Sequence, residues 1–246
     1  GLDAALGAGQ TLASTATVAL QTPLIVNGGA LNASSLINQS RIEVRSGTVG
    51  AVQNNGLLFG DGTVSGAVTN GATGRIRVDA GKTLAFTGAF SPNAGGLNLQ
   101  GGTLDFSGAV TNSAGAFIAG RGALYTGGLT NNGQMAFSGE TMDIHGDVTN
   151  AAGARIVTSG AGTVTTFVDD VVHNGMEIFT GASASTVFFG DQSGAGNFTG
   201  SGTVYFIADL RPGNSPGSVT YGGDVALGGT SSLSVEIGGL IAGIHY

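Results

Sequence analysis

GAVTNGATGRIRV occupies residues 66–78, GAVTNSAGAFIAG residues 108–120 and DVTNAAGARIV residues 147–157. All three write Val-Thr-Asn, a small-residue link containing Ala, and an Ile at a constant distance from the Val. Working outward, an apolar residue two before an Asn recurs at Leu36, Val52, Val68, Phe90, Val110, Leu129, Val148 and Val172, at intervals of 16, 16, 22, 20, 19, 19 and 24 residues. The asparagines are Asn38, Asn54, Asn70, Asn112, Asn131, Asn150 and Asn174, and the Phe90 copy reaches Asn93 through a one-residue insertion. Self-similarity at this period marks a solenoid of stacked repeats.

Within each copy, four to six residues alternate apolar with small or polar side chains. Examples are Arg75-Ile76-Arg77-Val78, Thr83-Leu84-Ala85-Phe86, Thr103-Leu104-Asp105-Phe106, Thr163-Val164-Thr165 and Thr203-Val204-Tyr205-Phe206. Period-two alternation bounded by Gly and Asn reads as half-buried strand. Helical periodicity is almost absent; its best candidate, Leu2 to Leu12, is interrupted by Gly7 and Gly9. The expected fold is all-β, a single-stranded right-handed parallel β-helix (solenoid) with about 16–24 residues per coil. About twelve coils at the ~4.8 Å strand spacing make a rod roughly 55–60 Å long. Val68, Val110 and Val148 then face inward. The following Asn sits at a corner, where it tolerates a left-handed backbone and bonds its stacked neighbours as a ladder. The competing fold is a sandwich or roll of antiparallel hairpins, although such folds rarely repeat one word at one-coil intervals.

Composition narrows the function. The 246 residues include 47 Gly, and charged residues make up 9%, against the roughly 25% of an average domain. A mean hydropathy of +0.27 is too apolar for a disordered linker. Eight basic against fifteen acidic residues give a net charge of −7, and only one of the eight is Lys. No basic stripe exists to hold a phosphate backbone or an anionic membrane, so no nucleic-acid partner is expected. No apolar run approaches the ~20 residues of a membrane-spanning helix. Zero Cys excludes disulfides, thiolate zinc sites and Cys nucleophiles. The chain begins on Gly1 without a signal-peptide pattern, so a targeting segment is expected upstream or already removed.

Toward the C-terminus the Asn register blurs, and LRPGNSPGSVTYGGDVAL follows at residues 210–227, then SLSVEIGG at residues 232–239. Pro212 and Pro216 fix φ, while Gly213 and Gly217 permit sharp reversal. This stretch resembles the Pro-Gly-Asn-Ser-Pro-Gly element of β-helical passenger regions in bacterial autotransporters, and is similar to ectodomains of exported proteins with a PEP-CTERM sorting tail. The resemblance covers residues 200–246 well and the earlier repeats in style. It implies a repetitive β-helix over 1–199 continuing into C-terminal coils over 200–246 as one solenoid. It also implies export to the bacterial cell surface; such relatives continue into further strands and a translocator barrel or a sorting helix, whereas this sequence stops at Gly243-Ile-His-Tyr246.

Candidate chemistry is sparse. Asp143, His145 and Asp147 could share the outer face of one strand as a metal or acid/base group, against the plain reading of a solvated face. Asp169 and Asp170, before His173 and Asn174, could share a proton or bind calcium; the alternative is a bulge lengthening the 24-residue interval. Arg75 and Arg77 read as surface charge for Asp79 or Glu43, and Asp61 and Asp191 as turn residues. Most Phe residues are expected in the core. Thr63, Thr69, Thr111, Thr130 and Thr149 recur, but one Thr per coil does not make the two-column plane of an ice-binding surface. No catalytic, cofactor-binding or metal residues are assigned. The expectation is a non-enzymatic extracellular structural or adhesive rod, without cofactors. Its partners are further copies of itself, stacked into filaments by an apolar terminus (Gly239–Ile244), or a surface glycan or protein. The alternative is a polysaccharide-binding or polysaccharide-degrading β-helix, which predicts a carboxylate cluster beside an Arg or Lys in a lateral groove.

Overall fold

The computed structural model describes residues 4–213 and 218–235, which contain strands and turns and no helix. Parallel strands stack through about 11 turns of a β-solenoid. The one antiparallel contact among the described residues is an isolated bridge between Gly194 and Gly213. The region read as a weak helix is instead the strands Ala4–Leu6 and Thr11–Leu20. Asn214–Gly217, the heart of the Pro-Gly-Asn-Ser-Pro-Gly element, and the apolar Gly239–Ile244 terminus lie outside the described residues.

Each coil has three lateral faces. The first is the Val-Thr-Asn triplet, as in Val110–Asn112 and Leu129–Asn131. The second is the strand that follows, as in Arg75–Asp79 and Arg155–Ser159. The third is exemplified by Thr83–Phe86 and Val164–Phe167. In Gly96–Phe106, Phe117–Tyr125 and Gln134–His145 one bent strand serves the second and third faces together. Gly120 makes that bend with φ 118°, and a Cβ there would run into the Leu99 carbonyl oxygen one coil away. Only glycine combines that φ with that approach.

Because side chains alternate across a strand, each register column stacks like with like. On the second face Ile42, Leu58, Ile76, Leu97, Ile118, Met135, Ile156 and Ile178 form one unexposed inward column. On the third, the rings of Phe167, Phe188 and Phe206 stack at 5.1 and 5.2 Å, within 9° of parallel. Most Phe residues do line the core, although Phe189 is exposed. One segment inverts the simple alternation: Thr163 and Thr165 are buried and Val164 is not. Inside, Thr165 accepts a hydrogen bond from Thr158 (2.8 Å), and Thr186 joins Thr158 and Thr180. Mutual hydroxyl bonding satisfies these buried groups, so polar residues hold positions that apolar residues fill elsewhere.

Candidate functional site on the second face

The residues singled out from sequence are dispersed by the fold. Asp143 and His145 point outward on the third face, where the His145 ring stacks on Tyr125 at 4.1 Å. The chain turns at Gly146 (φ 97°), so Asp147 lies past the corner and not beside them. Asp169 and Asp170 part company too. Asp169 accepts the Gly146 N–H at 2.7 Å, while Asp170 accepts the Asp191 N–H at 2.8 Å. Asp147, Asp170, Asp191 and Asp209 form a corner column, each carboxylate receiving a backbone N–H from the next coil. Ser232 hydrogen-bonds hold the Asp209 carboxyl below the usual carboxylate range, and Arg211 bridges Asp191 and Asp209 at 3.1 and 3.3 Å. Asp61 sits on the bend of Leu57–Val64 and receives the Thr83 N–H at 3.3 Å. Among the described residues no three His, Asp or Glu side chains form a metal-binding group.

The repeated asparagines do come together, inside the rod. Asn38, Asn54, Asn70, Asn93, Asn112, Asn131 and Asn150 are fully buried, and each donates from Nδ2 to Oδ1 of the next at 2.7–2.9 Å. The second N–H reaches a backbone carbonyl of the following coil, as from Asn131 to Arg155 at 3.3 Å. None of these asparagines has a positive φ, contrary to the left-handed backbone expected for them; among the described residues the non-glycine positions with positive φ are Ser46 and Ser183. Their side chains are selected for the ladder and not for the turn.

The last rung corrects the alignment by one residue. Val171 and His173 occupy the Val and Asn columns, while Val172 is exposed. His173 Nδ1 receives the Asn150 Nδ2–H at 3.1 Å and the Gly175 N–H at 3.2 Å, which leaves the proton on Nε2, facing the Asn197 carbonyl at 3.0 Å. The imidazole thus repeats the asparagine contacts: an acceptor toward the previous rung and a donor to the next coil's backbone. It ends the series without an unpaired amide. Burial depresses its pKa. Gly196 leaves room for the ring, since a Cβ there would meet it.

Outward chemistry gathers on the second face. Register places six of the seven arginines there: Arg41, Arg45, Arg75, Arg77, Arg121 and Arg155. Arg77 lies 4.5 Å from the Phe59 ring centre, Arg75 5.0 Å from Phe117 and Arg155 5.7 Å from Phe179. Arg77 pairs with Asp79 at 3.0 Å, as the sequence suggested, whereas Glu43 pairs with Arg45 at 2.6 Å. Arg75 bonds the Ala72 and Gly74 carbonyls.

Between these Arg–Phe patches the large side chains stop. The outward column runs Phe59, Arg77, Asn98, Ala119, Ala136, Val157 and Phe179. The dip in size leaves an open groove of about 590 Å3, floored by Ala119, Gly120 and Ala136 and edged by Asn98, Gln100, Arg121 and Ser138. Gly122 pairs with Met142 while Gly120 pairs with Phe137, so the intervening residues bulge outward and carry Glu140 to Arg121 at 3.2 Å. The groove escaped sequence reading because its walls come from three coils. The available signal was the Asn-Ala-Ala succession at equivalent repeat positions. No protein family, curated protein or solved structure matches this chain.

Proposed function

We propose that the protein is a non-enzymatic extracellular module, a rigid β-solenoid rod on the bacterial surface that serves structural and adhesive roles and stacks end to end with further copies. The observation that carries this reading is the asparagine ladder, which ties eight successive coils by one unbroken run of buried side-chain bonds from Asn38 to His173. A ladder of that kind resists bending and local opening along the axis, the property a projecting rod needs. Stacking has its own support. Open strand edges pair with added strands unless charge or bulk blocks them, and a chain with charged residues at 9% has little with which to block them. The autotransporter-like or PEP-CTERM-type resemblance at residues 200–246 supplies the export route.

Electron microscopy of the purified chain over a concentration series tests assembly. Rods of about 50 Å, from 11 coils at ~4.8 Å each, should lengthen in multiples as concentration rises. Monodisperse short rods at the highest concentration would count against stacking. Immunogold labelling of intact cells tests location, and a wholly internal signal would overturn the surface assignment.

A further inference from the structure

We infer that the second-face groove binds an uncharged saccharide, which gives the adhesive part of the proposed function a ligand class and rests on that reading. The groove's volume of about 590 Å3 lies within the roughly 300–1,000 Å3 typical of small-molecule sites. Its floor is the methyls of Ala119 and Ala136 and the backbone of Gly120, a strip without large side chains against which the C–H face of a sugar ring can lie. Its edges are two carboxamides, a hydroxyl and a guanidinium–carboxylate pair. Carboxamides offer a donor and an acceptor side by side, which suits neighbouring hydroxyls. Elsewhere among the described residues the buried asparagines are consumed by the ladder, and the buried Gln192 amide bonds the Ser193 carbonyl. Asn98 and Gln100 instead point outward, and their side chains have no hydrogen-bond partner among the described residues.

Electrostatics select the uncharged class. Arg121 faces Glu140, and the neighbouring guanidiniums of Arg77 and Arg155 face Asp79 and Glu177 at 3.0 and 2.5 Å. An anionic sugar would have to displace a carboxylate from each arginine it approached, on a chain whose net charge is −7. A neutral polyol uses the same pairs as donors and acceptors without that competition.

The test is a glycan array carrying neutral and acidic oligosaccharides, probed with the full chain, followed by titration of the free neutral hit. Ala136→Trp fills the groove from an outward position and should weaken binding at least tenfold; Thr130→Trp, outward on the first face, should leave it unchanged. Should Ala136→Trp lose its β-sheet circular dichroism, the double variant Asn98→Ala/Gln100→Ala serves instead, with the same loss expected. A blank neutral panel overturns the inference. So does binding confined to acidic glycans, or binding unaffected by the groove substitutions. Each of those results is compatible with surface labelling of cells, so the groove can fail while the surface rod stands. Groove-dependent binding by a protein found only inside cells would fail the surface reading alone.

Discussion

Replacing Asn112 with Leu removes one rung from the middle of the ladder while keeping a side chain of similar volume. Four hydrogen bonds go: acceptance from Asn93 at 2.9 Å, donation to Asn131 at 2.8 Å, donation to the Gln134 carbonyl at 3.2 Å and a longer donation to the Ala116 carbonyl at 3.5 Å. The groups left behind are buried, and each unpaired one costs about 1–3 kcal/mol. Two relax in part. Asn93 Nδ2 keeps the Gly95 and Phe117 carbonyls near it, and Asn131 Oδ1 keeps the Gly133 N–H. The added apolar burial returns about 1–2 kcal/mol. The net cost is then about 2–4 kcal/mol. Asn38→Leu is the comparison. Its column neighbour on one side is Leu20, so that substitution removes a rung from one ladder neighbour, Asn54, instead of two; the other groups it strips, the Leu57 carbonyl and the Ser40 N–H, are only part-buried, and it should cost about 1 kcal/mol less. Asn112→Asp should be worst at neutral pH, because a carboxylate accepts from Asn93 but confronts Asn131 Oδ1 with a second acceptor. It should recover in acid, when its O–H can donate. Urea unfolding followed by far-ultraviolet circular dichroism measures all three. Each coil touches only its neighbours, so the comparison requires an unchanged m-value. If Asn112→Leu costs less than about 1 kcal/mol, or no more than Asn38→Leu, the ladder is passive filling and the argument for a stiffened rod fails.

Stability should also depend on pH through His173. Its folded pKa lies below the ordinary 6.5, so the unfolded chain takes up the proton first. The contribution is whole above pH 6.5 and is lost as pH falls toward the folded value, by about 1.4 kcal/mol per unit of separation. Midpoint urea concentrations should decline more steeply over that window in the wild type than in His173→Asn; equal slopes would refute the burial of a neutral imidazole at this rung. Tyr221 offers a spectroscopic check on the C-terminal coils. Its hydroxyl is buried without a partner and its ring lies 4.9 Å from Phe198, and burial pushes its pKa up to about 12. Ultraviolet titration should show one late tyrosine step that disappears in Tyr221→Phe, and that variant should be as stable or more so, since an orphan hydroxyl is removed. A titration with no late step would mean that the ring is not packed there.

What could be read from sequence follows the columns. A residue whose partner is the same residue one coil away leaves its own repetition in the chain, so Val68, Val110, Val148 and their asparagines exposed the fold. The ladder hides where a different letter performs the same bonding. The sequence pattern points to Asn174 and not to His173 because an imidazole does not look like an amide, although its two nitrogens reproduce the acceptor and donor of an asparagine rung. Thr165 misleads for a related reason: hydroxyls that bond one another can occupy a core column, so alternation of polarity no longer reports which way a strand faces. The groove was further from view. Asn98, Ala119 and Ala136 are separated by 21 and 17 residues, unequal steps whose superposition depends on how much each intervening turn bulges. A column of identical residues announces register, whereas a recess is made of differences between neighbours in a column. Such differences acquire meaning only once the register is known. In a solenoid, therefore, the scaffold is the periodic part of the sequence and a ligand site is sought among its departures, which on the second face means the place where Arg and Phe give way to Ala.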